Sequence, residues 1–240
     1  MKVVIVGGVA GGATAATRLR RLDEHAQITV FERSGYISYA NCGLPYYIGG
    51  VIEDKEELTL QTPESIGKRF RIDMKVHHEV TDINVLKKTV TVCNLDTGKV
   101  YEESYDKLIL SPGAKPVMPN LPGIENEKIF TLRTVEDTLK IRAFVEDKKP
   151  KTAVIVGGGF IGLEVAENLC DLGVKVTVVQ RPKQLMNTLD YDMATLVHNK
   201  LRSKGISLKL GGDVIGFEEK EQLQFTIWIP EKYMRNLMIN

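Results

Sequence analysis

The chain has 240 residues, of which 43% are apolar, and its 32 basic and 31 acidic side chains leave a net charge of +1 at pH 7. This length allows two compact domains, and the near-neutral charge argues against a general nucleic-acid binder or a membrane-surface binder. No apolar run approaches the roughly 18 residues that a membrane span needs, so we expect no membrane partner.

The three cysteines, Cys42, Cys93 and Cys170, show neither paired nor metal-binding spacing. This predicts no disulfide framework and favours a reducing, cytoplasmic setting. The first residues resemble a secretory signal in their lysine and apolar run, but four glycines interrupt that run and Arg18 follows closely. We therefore interpret them as part of the fold.

The first 32 residues have the pattern of a dinucleotide-binding unit. Lys2–Val6 predicts a buried strand, an alanine-rich helix extends to about Leu22, and a strand over residues 28–31 ends on Glu32. The turn between the first strand and the helix consists of Gly7, Gly8, Val9, Ala10, Gly11 and Gly12. Such glycines let the backbone approach a pyrophosphate at the helix N-terminus, and the acid accepts hydrogen bonds from ribose hydroxyls. Val9 departs from the motif, whose second glycine would stand there.

Cys42 lies in the stretch SYANCGLPYY, and we interpret it as a candidate nucleophile. Pro45 favours the first turn of a helix, which predicts that a helix begins just after Cys42. The N–H groups and dipole of a helix N-terminus stabilise a thiolate, the reactive form of cysteine. The alternative is that Cys42 is a small buried hydrophobic residue, as most free cysteines are.

Two groups of polar and basic residues could contribute to one further candidate site. Thr14, Arg18 and Arg21 share one face of the first helix, which is either a solvated face or an anion site for a phosphate-bearing substrate. Arg69 and Arg71, in the basic run after residue 67, would contribute to the same anion site.

Short strands are predicted over residues 75–80, 89–94, 99–102 and 108–110, with a hairpin turn at 95–98. His77 and His78 have no third ligand at metal spacing, so we interpret them as structural, and we place Cys93 in the core. A proline-rich crossover follows residue 110, a helix is predicted over residues 135–145, and a polar linker spans residues 148–151.

A second dinucleotide unit follows the linker. A buried strand over residues 153–156 leads into a full G-x-G-x-x-G at 157–162, a helix over 163–172 with Cys170 on its packing face, and a strand over 174–179. That strand ends on Gln180, where an NAD site normally has an acid, and Arg181 and Lys183 follow. Either this site accepts NADPH at least as well as NADH, or both cations only face solvent.

The two units lie about 150 residues apart and indicate an internal duplication, with residues 208–217 following the second unit as residues 75–84 follow the first. We predict an α/β fold of two Rossmann-like three-layer domains, one at 1–148 and one at 149–240, that bind one dinucleotide each. From about residue 223 the sequence shows no strand-turn pattern, so we expect an aberrant tail.

Three longer phrases resemble the pyridine nucleotide-disulfide oxidoreductases. Residues 105–123 are similar to that family's second flavin-contacting segment, and residues 157–169 to its nicotinamide motif. Residues 37–50 resemble the phrase of coenzyme A disulfide reductases, with Tyr39 in place of the usual phenylalanine. Tyr47 stands where dithiol members carry a second cysteine, so the resemblance is to the single-cysteine branch.

The resemblance implies FAD and either NADPH or NADH as cofactors, with electrons passing from the nicotinamide to the flavin and then to Cys42. It makes 1–148 the FAD-binding domain and 149–240 an incomplete NAD(P)H-binding domain. Cys42 would alternate between a mixed disulfide with coenzyme A and a thiolate against the flavin. The cofactor contacts in the first half would be Gly7, Gly8, Val9, Ala10, Gly11, Gly12, Glu32, Arg33, Asn41, Val80, Ser111 and Gly113. Those in the second half would be Gly157, Gly159, Phe160, Ile161, Gly162, Glu164 and Arg181. The substrate contacts would be Thr14, Arg18, Arg21, Ser38 and Asn41, joined by the basic residues Arg69 and Arg71.

The substrate implied is coenzyme A disulfide or a related low-molecular-weight disulfide or persulfide. An NADH oxidase or peroxidase that cycles through a cysteine sulfenic acid is the alternative enzyme. Family members continue into a later flavin segment and a dimerisation domain and form homodimers. We therefore expect this sequence to be truncated or frameshifted, and an inactive nucleotide-binding fragment is the alternative from another class.

Overall fold

The computed structural model describes residues 1–218, 224–229 and 233–234. Its strands are β1 (Lys2–Val6), β2 (Gln27–Phe31), β3 (Asp73–Lys75), β4 (His78–Asn84), β5 (Thr89–Asn94), β6 (Val100–Ser104), β7 (Lys107–Leu110), β8 (Lys115–Pro116), β9 (Ile129–Thr131), β10 (Thr152–Val156), β11 (Lys175–Gln180), β12 (Ser207–Leu210), β13 (Gln224–Trp228) and β14 (Tyr233–Met234). Its helices are α1 (Ala10–Leu22), α2 (Leu44–Ile48), α3 (Pro63–Phe70), α4 (Val135–Lys148), α5 (Phe160–Asp171) and α6 (Tyr191–Ser203), with short 3₁₀ turns at Asn41–Gly43 and Lys55–Leu58.

The chain divides into two compact units. Residues 1–40 and 59–113 form the first unit, and residues 41–58 join those from 114 onward in the second. The sequence placed a domain boundary at residue 148, so residues 41–58 and 114–148 are grouped differently in the structure. The assignment of one cofactor to each domain stays a prediction.

The first unit has three layers built around a parallel sheet in the order β3-β2-β1-β7. Side chains alternate across a strand, so Val3 of β1 packs toward Ala16 of α1 and Ile66 of α3, in one core cluster. Val4 lies in a second cluster with Val92 of β5. The second cluster belongs to the antiparallel sheet β4-β5-β6, which supplies the third layer.

The second unit contains a parallel sheet in the order β12-β11-β10-β13-β9. Phe144 of α4 packs between Phe130 of β9 and Phe225 of β13, with ring centroids 5.1 and 5.4 Å away. Two capping residues fix the start of α4: Thr134 accepts a hydrogen bond from the backbone of Asp137, whose carboxylate accepts one in return. The predicted α/β fold class is confirmed.

The internal duplication is visible in both sheets. The order β3-β2-β1-β7 matches β12-β11-β10-β13, with all strands parallel. The match weakens over residues 208–217, because β12 ends at Leu210 and no strand follows it before residue 219, whereas β3 and β4 occupy most of residues 75–84.

Two sequence predictions of strands were wrong. Residues 75–80 are not one strand, because His77 has a positive φ of 55° and separates β3 from β4, which belong to different sheets. The expected lack of a strand-turn pattern after residue 223 also fails over residues 224–229, because β13 pairs with β10 along its whole length and Phe225, Ile227 and Ile229 are buried. The remaining tail residues, apart from 233–234, lie outside the described residues. Within the described part, no helix is long and apolar enough to cross a membrane.

Candidate functional site

The first glycine turn is built in a way that side chains would disrupt. Gly7 has φ +97°, and a Cβ on it would overlap the backbone oxygen of Ser111. A Cβ on Gly12 would overlap the backbone oxygen of Gly7. The N–H of Gly7 donates to Phe31 O at 2.8 Å, which ties the turn to the end of β2. Close backbone packing at the N-terminus of α1 fits a dinucleotide-binding turn.

Glu32 is fixed at this turn by backbone donors. Its Oε2 accepts from Gly8 N at 2.7 Å and its Oε1 accepts from Ser34 N at 2.8 Å. A carboxylate has about four acceptor positions, so these two bonds leave capacity for ribose hydroxyls. The structure thus places Glu32 where the sequence predicted it, beside the glycine turn.

The departure at Val9 has no cost for the backbone. Val9 stands at the N-cap of α1 with φ −92°, and its counterpart Gly159 stands at the N-cap of α5 with φ −83°. A Cβ on Gly159 would meet nothing within 4 Å. The fold therefore leaves room for a side chain at this position of the turn.

The second glycine turn repeats the first. Gly157 has φ +113° and donates to Val179 O at 2.9 Å, and a Cβ on Gly162 would overlap the Gly157 oxygen. Gly158 N donates to Gln180 Oε1 at 2.8 Å, the bond that Gly8 makes to Glu32 in the first turn. Gln180 is only 3% exposed, so its amide replaces the acid as a structural acceptor without adding charge.

The remaining second-half candidates flank this turn. Phe160 begins α5 and is 63% exposed, and Ile161 is half-buried. Burial raises the pKa of the Glu164 carboxyl one turn further along. Arg181 is exposed, and its Nε lies 2.9 Å from Asp213 Oδ1, an acid that the sequence reading missed.

Cys42 is exposed, in the 3₁₀ turn Asn41–Gly43 directly before α2, as predicted for a helix beginning just after it. The neighbouring Asn41 is fixed by Arg133, whose Nη1 donates to its Oδ1 at 2.9 Å. Cys42 therefore lies on the surface, on a turn that a side-chain hydrogen bond holds in place.

Arg142 of α4 holds α2 in place. Its guanidinium carbon lies 4.1 Å from the Tyr47 ring centroid, and Nη1 donates to Tyr47 O at 3.0 Å and Ile52 O at 3.1 Å. A Cβ on Gly49, just after α2, would overlap the buried side chain of Asn168 from α5. The sequence reading missed Arg133, Arg142 and Asn168, because no motif links them to the cysteine.

The predicted substrate residues of the first unit are in different local settings. Thr14, Arg18 and Arg21 are exposed on α1, which leaves their predicted role open. Arg69 stacks on the Phe70 ring at 5.2 Å, and Arg71 has φ 51° at the end of α3. Ser38 also has a positive φ, 47°, and its backbone pairs with Gly8 and Leu60.

Arg20 explains how the ends of α1 and α3 stay together. Its Nε donates to Phe70 O at 2.7 Å and its Nη2 to Arg71 O at 2.8 Å. Arg20 therefore has a structural role in this basic region, which the sequence reading did not assign. Arg71 in turn donates to Glu24 O at 3.4 Å.

The other predicted flavin contacts lie around the first turn and the antiparallel sheet. Ser111 N donates to Val6 O at 2.8 Å, and Gly113 has φ +70°. Val80 is partly buried against the cluster that contains Val4, and Arg33 is exposed with Nη1 3.5 Å from Glu79.

The histidines and the other cysteines have structural contacts. His77 Nδ1 lies 2.9 Å from Asp96 Oδ1, and His78 Nδ1 lies 2.7 Å from Val76 O. Cys93 and Cys170 are half-buried. Among the residues that the structure describes, no group of three His, Cys, Asp or Glu side chains could hold a metal ion.

The model of the pyridine nucleotide-disulphide oxidoreductase family matches residues 1–232 of this sequence. The chain belongs to this family. The predicted cofactors, FAD with NADPH or NADH, are those of the pyridine nucleotide-disulphide oxidoreductases.

Three known proteins are similar to this chain over most of its length. A coenzyme A disulfide reductase of Staphylococcus haemolyticus is 41% identical over 218 residues, which cover 91% of this chain and 49% of the relative. The crystal structure of reduced Bacillus anthracis CoADR-RHD has a TM-score of 0.93 and 47% identity, and covers 95% of this chain and 43% of that chain. An NAD-dependent persulfide reductase from A. fulgidus has a TM-score of 0.90 and 34% identity, with 95% and 45% covered. This chain thus spans about half the length of the relatives that it matches.

Proposed function

We propose that this chain carries the cofactor-binding and cysteine-bearing part of a flavin-dependent NAD(P)H oxidoreductase. Its substrate is coenzyme A disulfide or a related low-molecular-weight disulfide or persulfide, and Cys42 is the redox-active residue. The observation that carries the proposal is the exposed Cys42 directly before α2, in a chain that also has two glycine turns and is 41% identical to a coenzyme A disulfide reductase. The family resemblance also supports a homodimer for the full-length form, and three free cysteines favour a cytoplasmic setting.

The glycine turns support the cofactor assignment. Gly7 and Gly12 in the first turn, and Gly157 and Gly162 in the second, leave no room for a Cβ, so each turn packs its backbone closely at the N-terminus of a helix, as a pyrophosphate-binding turn does. FAD would be held by the first turn with Glu32, and NADH or NADPH by the second. When bound, these cofactors supply the two electrons of the reduction.

Cys42 would perform the thiol chemistry. Attack of the Cys42 thiolate on a disulfide sulfur forms a mixed disulfide and releases one thiolate. Two electrons and one proton then release the second thiol and regenerate the Cys42 thiolate. Arg133 would keep Asn41, the residue before Cys42, in place during both steps. With a persulfide, attack on the outer sulfur would form a Cys42 persulfide and release the parent thiolate, and two electrons would then release hydrosulfide and regenerate the Cys42 thiolate.

Gln180, at the end of β11, stands where an NAD site normally has an acid, and this affects the choice between NADH and NADPH. Gln180 accepts the turn N–H in place of a glutamate, so no carboxylate stands at that position to repel a 2′-phosphate. We therefore infer that the second site binds NADPH at least as well as it binds NADH.

The test is to purify the 240-residue chain with FAD and to record its visible spectrum before and after anaerobic addition of NADPH. We expect bleaching, and release of coenzyme A thiol when coenzyme A disulfide is supplied. Cys42→Ser should abolish thiol release while flavin binding remains, and the matched control Cys93→Ser should retain both. Peroxide-dependent oxidation of Cys42 without coenzyme A release would instead support the peroxidase alternative. A chain that stays colourless with FAD would refute the proposal for this chain.

A further inference from the structure

An ion pair lies at the end of the strand where an NAD site would carry its acid. Arg181 directly follows β11, and its Nε lies 2.9 Å from the Oδ1 atom of Asp213, which follows β12. The two side chains are 82% and 67% exposed. Each therefore keeps access to a ligand arriving from solvent.

Backbone bonds keep this pair beside the second glycine turn. The Gln180 side chain accepts from Gly158 N at 2.8 Å, which brings the end of β11 against the turn. Gly211 N and Gly212 N both donate to Gln180 O, at 3.0 and 3.3 Å, and bring the segment carrying Asp213 to the same place. In a dinucleotide unit this is where the adenosine ribose lies.

We propose that Asp213 sets the selectivity of the second site between NADH and NADPH, by acting through Arg181. This inference rests on the proposed dinucleotide function of that site. The Asp213 carboxylate offsets the Arg181 charge and repels a 2′-phosphate, which carries about −1.5 to −2 charge at pH 7. A ribose 2′-hydroxyl is neutral and feels neither effect. Asp213 is thus a positioning and charge-balancing residue that keeps the affinities for the two nucleotides similar.

The first measurement is calorimetric binding of NADP⁺ and NAD⁺ to the 240-residue chain and to Asp213→Asn, a substitution of the same shape. We expect the NADP⁺ affinity to rise about threefold relative to NAD⁺ at 0.15 M salt, and more at low salt, because exposed charges interact weakly and are screened. The rise should shrink below pH 6, where the 2′-phosphate takes up a proton. Neither trend follows from a purely structural role of Asp213.

Two further variants complete the test. Asp171→Asn removes a carboxylate of similar exposure, 64%, that pairs with Lys204 at the opposite end of α5 from the turn, and should leave the ratio of affinities unchanged. Arg181→Gln leaves Asp213 unopposed and should make NADP⁺ bind more weakly than NAD⁺. The inference about Asp213 would be overturned if Asp213→Asn left the NADP⁺ preference unchanged or lowered it, or if the affinities for both nucleotides changed equally. That outcome would leave the dinucleotide site itself standing. A folded parent chain that binds neither nucleotide would overturn the dinucleotide site itself.

Discussion

Replacing Arg142 by methionine should release the helix that follows Cys42. Arg142 stacks on Tyr47 and donates two hydrogen bonds to backbone oxygens at the end of α2 and beyond it, at 3.0 and 3.1 Å. It also pairs with Glu146 one turn further along α4, at 2.7 Å. Methionine keeps much of the apolar stem but loses the stack and every donor.

The contacts set the size of the effect. A hydrogen bond to a charged group contributes about 1.5–3 kcal/mol, and a cation–π contact about 0.5–2 kcal/mol. The exposed Glu146 pair adds only about 0.3–0.5 kcal/mol. The Arg142 side chain is 20% exposed, so water can replace part of the lost donors. We therefore expect the free energy of local opening around α2 to fall by about 2–3 kcal/mol.

Amide hydrogen exchange reads this opening directly. The N–H groups of Gly49, Val51 and Ile52 are bonded to oxygens within this segment, at 3.1, 2.9 and 3.2 Å. A loss of about 2–3 kcal/mol corresponds to exchange roughly 30- to 150-fold faster at these amides. Lys140→Met removes a positive charge from an exposed position of the same helix and is the matched control. Exchange rates in Arg142→Met no faster than in that control would refute the anchoring role.

Two further predictions concern the second unit. Gly162→Ala should lower the free energy of unfolding, measured in urea, by about 1–3 kcal/mol and abolish NAD⁺ binding, because its Cβ meets the Gly157 oxygen. Gly159→Ala should weaken NAD⁺ binding without lowering stability. Equal losses of stability in the two variants would contradict this prediction. Lowering the pH from 7.5 to 5.5 should also destabilise the unit, since burial, followed by the nearby Arg202 charge, lowers the pKa of His198. The ordinary pKa of a histidine is about 6.5, so below that pH the unfolded chain binds a proton at His198 that the folded chain does not bind. The free energy of unfolding then falls as the pH falls, by at most about 1.4 kcal/mol per pH unit. His198→Gln, which keeps an acceptor for the Leu185 N–H, should flatten that slope, and an identical pH profile would show that His198 does not cause it.

The two glycine turns could be predicted from the sequence because each position makes a local demand on residue type. Gly7 and Gly157 need positive φ, and Gly12 and Gly162 leave no room for a Cβ. These demands are satisfied by one residue type at fixed spacing, immediately after an apolar strand. The parallel strands themselves follow from continuous apolar runs, which have no other stable place in a domain of this size.

The anchors of the cysteine segment could not be predicted in the same way. Arg142 bonds to backbone oxygens 95 and 90 residues earlier in the chain. Every residue has such an oxygen, so the partners carry no signal in the sequence. β13 was missed for a related reason: it is a short run whose parallel partner β10 lies some 70 residues earlier. Only the alternation of buried Phe225 and Ile227 within it could have indicated a strand.

The residue at the end of the second strand of each half has one role in the fold and a separate role toward a ligand. Glu32 accepts from Gly8 N at 2.7 Å, and Gln180 accepts from the equivalent Gly158 N at 2.8 Å. The turn therefore closes equally well with a carboxylate or an amide. The residue can therefore change its charge without unfolding the unit. What changes is the field at the ribose end of the site. Under the selectivity proposed above, this field comes in the second half from the exposed pair of Arg181 and Asp213. The proposal therefore expects nucleotide selectivity there to change through surface substitutions that leave the Rossmann unit intact.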